Sequence, residues 1–134
     1  MKLERIIWVF GSNREGRHGK GAALVALRKY GAKYGQASDL QGDSYAIITK
    51  ELRPNYPTVT LAEVYSAVKR FKRFAARHPD WTFLLTAIGC GHAGFKPEDI
   101  APMFANAPEN VLLPETFKRV LRNVRKKEKI VVEK

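Results

Sequence analysis

Ile6-Ile7-Trp8-Val9-Phe10-Gly11-Ser12-Asn13-Arg14-Glu15-Gly16-Arg17-His18-Gly19-Lys20-Gly21-Ala22-Ala23 is the stretch that decides the fold. The apolar run from Ile6 to Phe10 reads as a buried strand and the residues after Gly21 as a helix, so the segment between is a strand-to-helix turn. Gly11, Gly16, Gly19 and Gly21 lie in that turn. Glycine tolerates positive φ and lets a ligand approach the backbone, and a helix N-terminus favours an anion, so the turn is a candidate phosphate-holding loop. Neither common nucleotide fingerprint is met. The spacing is not Gly-x-Gly-x-x-Gly, and Gly19-Lys20 is followed by Gly21 where a Walker loop carries Ser or Thr. A flexible connection without a ligand accounts for the same glycines.

The first helix is expected from about Gly19 to Tyr30, with Gly31 as its stop, followed by loop chemistry from Tyr34 to Asp43. Ser44 to Thr49 is short, apolar and β-favouring, a buried strand ending at Lys50. Pro54 and Pro57 keep the next connection extended, and Thr60 with Glu63 three residues on forms a capping box that opens a second helix. Leu61, Val64, Val68, Phe71 and Ala75 recur at helical spacing as its buried face. That helix ends near His78-Pro79-Asp80, Thr82 to Ile88 reads as a strand, and Gly89-Cys90-Gly91-His92-Ala93-Gly94-Phe95 is a second glycine loop. Pro97 suits the first turn of a third helix reaching Ala107; Asn110 to Leu113 is a fourth strand. A fourth helix opens at Pro114-Glu115, and Ile130-Val131-Val132 is either an edge strand or a frayed tail. Alternating strands and helices require crossovers, hence a single α/β domain with a mainly parallel sheet, mixed at its edge, and helices on both faces.

Size and composition fit one such domain. The 134 residues, 45% hydrophobic and 28% charged, suffice for a core without metal or disulfide staples. No apolar run approaches membrane-spanning length, and Met1 to Arg5 has no signal-peptide pattern, so a cytoplasmic location without membrane contact is expected. The single Cys90 and three scattered histidines give no metal-ligand spacing, and no cofactor is expected. Charge is the unusual feature, with 24 Lys and Arg against 13 Asp and Glu, a net of +11 that draws polyanions. It is concentrated after Lys118, where eight basic residues, Lys118, Arg119, Arg122, Arg125, Lys126, Lys127, Lys129 and Lys134, face only Glu128 and Glu133. The first six are candidate nucleic-acid contacts; a solvated helix face is the competing reading.

In an open parallel sheet the ligand site lies beyond the carboxyl ends of the strands. Three loops follow strand ends here, Gly11 to Gly21, Lys50 to Pro54 and Gly89 to Phe95, and two of them are glycine-rich. They describe a cleft able to hold a diphosphate, with Asn13, His18, Lys50 and His92 as the nearest polar side chains. Each of these has a plainer account: Lys50 as a strand terminator, His92 as a loop imidazole bonded to backbone, Cys90 as a small filler.

Gly11-Ser12-Asn13, followed by Gly19-Lys20-Gly21-Ala22-Ala23 and Tyr30-Gly31, resembles the first ligand loop and helix of macrodomains, the ADP-ribose-binding family. Thr86 to Phe95 is similar to that family's second phosphate loop, and Ile48-Thr49-Lys50 resembles the strand-end Thr-Lys of the branch that removes ADP-ribose from nucleic acid or acidic side chains. The resemblance implies a three-layer α/β/α fold that binds ADP-ribose or an ADP-ribosylated substrate. It implies ligand contacts at Gly11, Ser12, Asn13, His18, Gly19, Lys20, Gly21, Ala22 and the residues from Gly89 to Phe95. Lys50 would attack the sugar, Asn13 would orient the ribose, and His92 or Asp99 would move the proton. Two family features have no counterpart. The Gly-Asp-Ile element with its adenine-contacting aspartate is missing, and the position of the acid that assists the lysine holds Lys96-Pro97, with Asp99 next along. Binding alone and binding with turnover are both compatible with these residues, as is a non-catalytic nucleic-acid-binding module.

Overall fold

Alternating side chains divide β1 (Arg5–Asn13) between two cores. Ile7 and Val9 enter the larger, aromatic-rich cluster, and Trp8 and Phe10 the smaller one, built of Ala23, Ala26, Ala32 and Ala46. The computed structural model describes residues 5–133, with side chains described to Lys126. β2 (Asp39–Gln41), β3 (Ser44–Lys50), β4 (Trp81–Leu85) and β5 (Val111–Leu112) join β1 in one sheet of order β2-β3-β1-β4-β5. β1 pairs in parallel with β3 and β4, β4 in parallel with β5, and only β2 runs antiparallel, against β3. This is a mainly parallel α/β sheet with a mixed edge.

α1 (Gly21–Lys29) covers the smaller core, where its alanines let it approach Phe10 closely and its Ala22 carbonyl accepts a bond from Trp8 Nε1 at 3.0 Å. α2 (Leu61–Ala76), α3 (Pro97–Ile100) and α4 (Glu115–Glu133) belong to the larger core through Val64, Val68, Phe71, Ile100 and Phe117. The capping box forms as expected: Thr60 Oγ1 accepts from the Glu63 amide at 3.1 Å, and Glu63 Oε1 from the Thr60 amide at 3.2 Å.

Four element expectations are corrected. The residues 39–41, expected as loop, form β2, because Gly42-Asp43 makes a two-residue turn that returns the chain onto Ser44. The third helix ends at Ile100 and tightens into a 3-10 turn over Ala101–Phe104, since Pro102 has no N–H to continue an α-helical ladder. β4 stops at Leu85, after which the Ile88 amide folds back to the Thr86 carbonyl at 2.8 Å. The backbone of Ile130 to Val132 continues α4 and adds no strand. Leu61, expected on the buried face of α2, is 39% exposed at the helix start.

Tyr45 supplies a pH test of the larger core. Its ring packs on Phe71 and Phe74, and its hydroxyl faces Asp39 Oδ1 at 3.3 Å. Burial first, and then the Asp39 carboxylate, push the phenol well above its ordinary range. An unfolded chain releases this proton near pH 10, about where free tyrosine titrates, whereas the folded chain keeps it. The stability from this group is therefore complete below about pH 10 and is lost as pH rises further. Urea midpoints taken between about pH 9 and pH 11 should fall with pH, and Tyr45→Phe should flatten that fall.

Candidate functional site

The carboxyl end of β1 leads into the site through a β-bulge. Ser12 pairs with Ile48 but Asn13 pairs with Lys50, leaving Thr49 as the extra residue. Thr49 Oγ1 reaches back to the Ser12 carbonyl at 3.4 Å, and the slip sets Lys50 beside Asn13. Gly11 lies just before it, where an added Cβ would stand 3.1 Å from Thr49 Oγ1 and 3.3 Å from the Gly89 amide nitrogen. The absence of a side chain there lets the β1 end, the β3 end and the loop after β4 converge. Between them opens a cleft of about 580 Å³, within the size range of small-molecule sites.

Gly11, Ser12, Asn13, Gly19, Lys20, Gly21, Ala22, Lys50, Gly89, Gly91, His92 and Ala93 line it. Five expected residues do not, and for these the expectation is corrected. His18 is fully buried, its Nε2 held 3.0 Å from the Gln36 carbonyl and 3.1 Å from Gln41 Oε1. Both neighbours accept, so Nε2 carries a hydrogen. Cys90 turns its Sγ to the Ile88 carbonyl at 3.4 Å, and burial, then Asp99 and Glu98, push the thiol up, against a nucleophilic role. Gly94 closes a turn onto the Gly91 carbonyl, and Phe95 donates its amide to Gly89 and lays its ring beneath it. Asp99 caps α3 by accepting from the Lys96 amide at 3.1 Å.

Arg17, Tyr34, Leu52 and Thr86 also line the cleft without having been singled out in the sequence. Arg17 lies inside the glycine stretch, where nothing in its spacing marks it. Tyr34 lay in a segment read only as loop, and nothing in its local pattern marks it.

Three cations, Arg17, Lys20 and Lys50, line the cleft, and no carboxylate does among the described residues. The nearby acids are taken up elsewhere. Glu15 pairs with Arg17 at 2.9 Å and Arg53 at 3.5 Å, and Glu51, its side chain 1% exposed, with Arg53 at 2.5 Å and Arg14 at 3.7 Å. Arg14 also bonds Glu63 Oε2 and the Pro57 carbonyl, each at 2.7 Å, tying the β1 turn to the start of α2. Lys20 and Lys50 have no ion-pair partner among the described residues. Backbone donors add to this field. Lys20 gives α1 no side-chain cap, so the amides of Gly21, Ala22 and Ala23 are open, as are those of Gly91, His92 and Ala93. Asn13 uses both ends of its amide on the Arg17 backbone, donating from Nδ2 at 2.9 Å and accepting at Oδ1 at 3.0 Å, and thereby braces the turn.

Outside the cleft, Lys118, Arg119, Arg122, Arg125 and Lys126 are exposed on α4, spread over roughly a third of the helix circumference. Arg122 pairs with Glu115 at 2.6 Å; Lys127 lies outside the described side chains. Among the described residues no helix is long and apolar enough to cross a membrane, and no group of three or more His, Cys, Asp or Glu is placed to hold a metal.

No family model matches the chain, and no curated protein does. Among solved structures, a protein of unknown function from Bacteroides thetaiotaomicron is similar in fold, with a TM-score of 0.54 at 17% identity over 78% of this chain and 80% of that one.

The turn has an internal test. Gly16 has φ +68°, and a Cβ there would stand 2.5 Å from the Gly35 carbonyl carbon, whereas Gly21, at φ +56°, has open space around it. Gly16→Ala should cost about 2 kcal/mol or more by combining strain with collision, and Gly21→Ala only about 1 kcal/mol. Denaturant midpoints of the two variants check the order.

Proposed function

We propose that the cleft binds ADP-ribose or a related nucleotide derivative and that Lys50 serves its hydrolysis from a modified group. The single observation that carries the binding half is the meeting of two runs of backbone amides that are open among the described residues, at Gly21 to Ala23 and Gly91 to Ala93, in one cleft that three cations and no described carboxylate line. A diphosphate is the ligand chemistry that such a wall suits. Its oxygens accept from fixed N–H groups that need no reorganisation, and its charge is balanced by Lys20 and the α1 N-terminus.

The catalytic half rests on the resemblance to macrodomains and on the bulge that sets Lys50 beside Asn13. In this reading the Lys50 amine attacks C1 of the distal ribose and expels the attached group, and water then frees ADP-ribose. Asn13 contributes by bracing the Arg17 turn that holds the ligand, because its amide is already committed. Asp99 is spent on its helix cap, so proton transfer falls to His92, which is exposed on the second loop.

Calorimetry with ADP-ribose should give saturable binding, and none at millimolar concentration would reject the reading. Lys50→Ala should abolish release of ADP-ribose from a modified base or carboxylate. It should leave ADP-ribose affinity within about tenfold, roughly 1.4 kcal/mol, as expected for a contact used in the transition state. Turnover of the variant at the parental rate removes Lys50 from the chemistry.

A second reading, a nucleic-acid-binding module without catalysis, is favoured by the one-sided basic stripe on α4. Reversing Lys118, Arg119, Arg125 and Lys126 to Glu should weaken duplex DNA binding and flatten its salt dependence by about 0.9 in log–log slope per lost phosphate contact. An unchanged slope rejects this stripe as the contact surface.

A further inference from the structure

We infer that Tyr34 is a stacking platform for a planar base and that the cleft takes nucleoside diphosphates with weak discrimination among bases. The inference rests on the diphosphate reading of the same cleft and deepens it. Tyr34 is 63% exposed, yet it lines the cleft, where it is the one Phe, Trp or Tyr ring among the described lining residues. An exposed aromatic ring at the wall of an anion-holding cleft leaves apolar surface open to solvent, and a flat base is the part of a nucleotide that would cover it.

The ring is held on a braced loop. The Gly35 amide donates to the Gly16 carbonyl at 2.8 Å, and the Lys33 amide to Gln41 Oε1 at 2.8 Å. Gln41 in turn meets the buried His18, whose ring stands edge-on to Tyr34 with centroids 6.4 Å apart. A platform fixed in this way loses little conformational freedom on binding.

Weak discrimination follows from what the remaining side chains are doing. To tell adenine from other bases, a site needs an acceptor for the amino group and matched donors on the ring edge. The Ser12, Thr49 and Thr86 hydroxyls each donate to a backbone carbonyl, of Ala37, Ser12 and Val9 respectively. Asn13 is committed to the Arg17 backbone, and the cationic lining side chains accept nothing. Of the lining side chains, the exposed His92 and the face of Tyr34 are what is left for the base, and every base has a π-face.

Calorimetry on the parental protein, Tyr34→Phe and Tyr34→Ala, each with ADP, GDP, UDP and inorganic pyrophosphate, tests this. The three nucleotides should bind the parental protein within about tenfold of one another, and Tyr34→Ala should weaken all three by about ten- to a hundredfold. Tyr34→Phe should stay near the parental values, and pyrophosphate affinity should move with neither variant. A preference for ADP above about a hundredfold overturns the weak discrimination. Equal loss of pyrophosphate in Tyr34→Ala overturns stacking in favour of loop support, and nucleotides no tighter than pyrophosphate overturn the platform alone. No binding of pyrophosphate or of any nucleotide overturns the diphosphate cleft and the platform together.

Discussion

At Gly11 the central strand passes so close to Thr49 and to the Gly89 amide that a single methyl group would meet one at 3.1 Å and the other at 3.3 Å. That close passage depends on backbone, and the site depends on it. It lets the ends of β1 and β3 and the loop after β4 share one corner of the sheet, and the bulge at Thr49 then sets Lys50 beside Asn13 instead of one position off. A side chain at residue 11 would require Thr49 Oγ1 and the Gly89 amide to give by a few tenths of an ångström, and the loop that carries Gly89 is held by its own hydrogen bonds, Phe95 N–H to the Gly89 carbonyl and Gly94 N–H to that of Gly91.

Charge distribution reinforces this geometry. Acids beside the first loop are held by arginines, Glu15 by Arg17 and Arg53, Glu51 by Arg53 and Arg14, Glu63 by Arg14. Such pairs, some of them well exposed, contribute modestly to stability. Their larger effect is to keep carboxylates out of the cleft while Lys20 and Lys50 remain uncompensated, so the low-lying backbone donors act in a positive field. The same Arg14 side chain bonds the Pro57 carbonyl and Glu63 of the capping box, so the turn after β1 is mechanically tied to the start of α2.

The order of strands and helices was legible because each long element announces itself in side-chain spacing: the apolar run of β1, the Val64, Val68, Phe71 stripe of α2, the alanines of α1. What escaped the sequence was short-range backbone geometry. Gly42-Asp43 is a hairpin signal, yet the flanking Asp39-Leu40-Gln41 has too few apolar residues to read as a strand, and only pairing with β3 makes it one. Pro102 carries the information that the third helix breaks, but Pro97 and the acids after it suit a helix start and give no sign of where that helix ends. At the site, glycine loops at strand ends were readable because glycine is chemically distinctive. Whether a polar side chain points into the cleft or away from it was not, since His18 and Asp99 have the right chemistry but are spent on a buried network and a helix cap.

That division bears on how far fold can be taken toward function. The wall of the cleft is made of main-chain amides, whose positions follow from strand order, the glycine at position 11 and the turns around Gly16 and Gly89, so the anion-holding geometry belongs to the backbone. The B. thetaiotaomicron protein has a similar fold at 17% identity, a level at which backbone geometry is shared while side-chain chemistry is free to differ. An amide wall can hold a diphosphate whatever is attached to it. On the proposed reading, the sugar and the base are chosen by the few side chains that the wall leaves uncommitted, and among the described residues those are Lys20, Lys50, His92 and Tyr34.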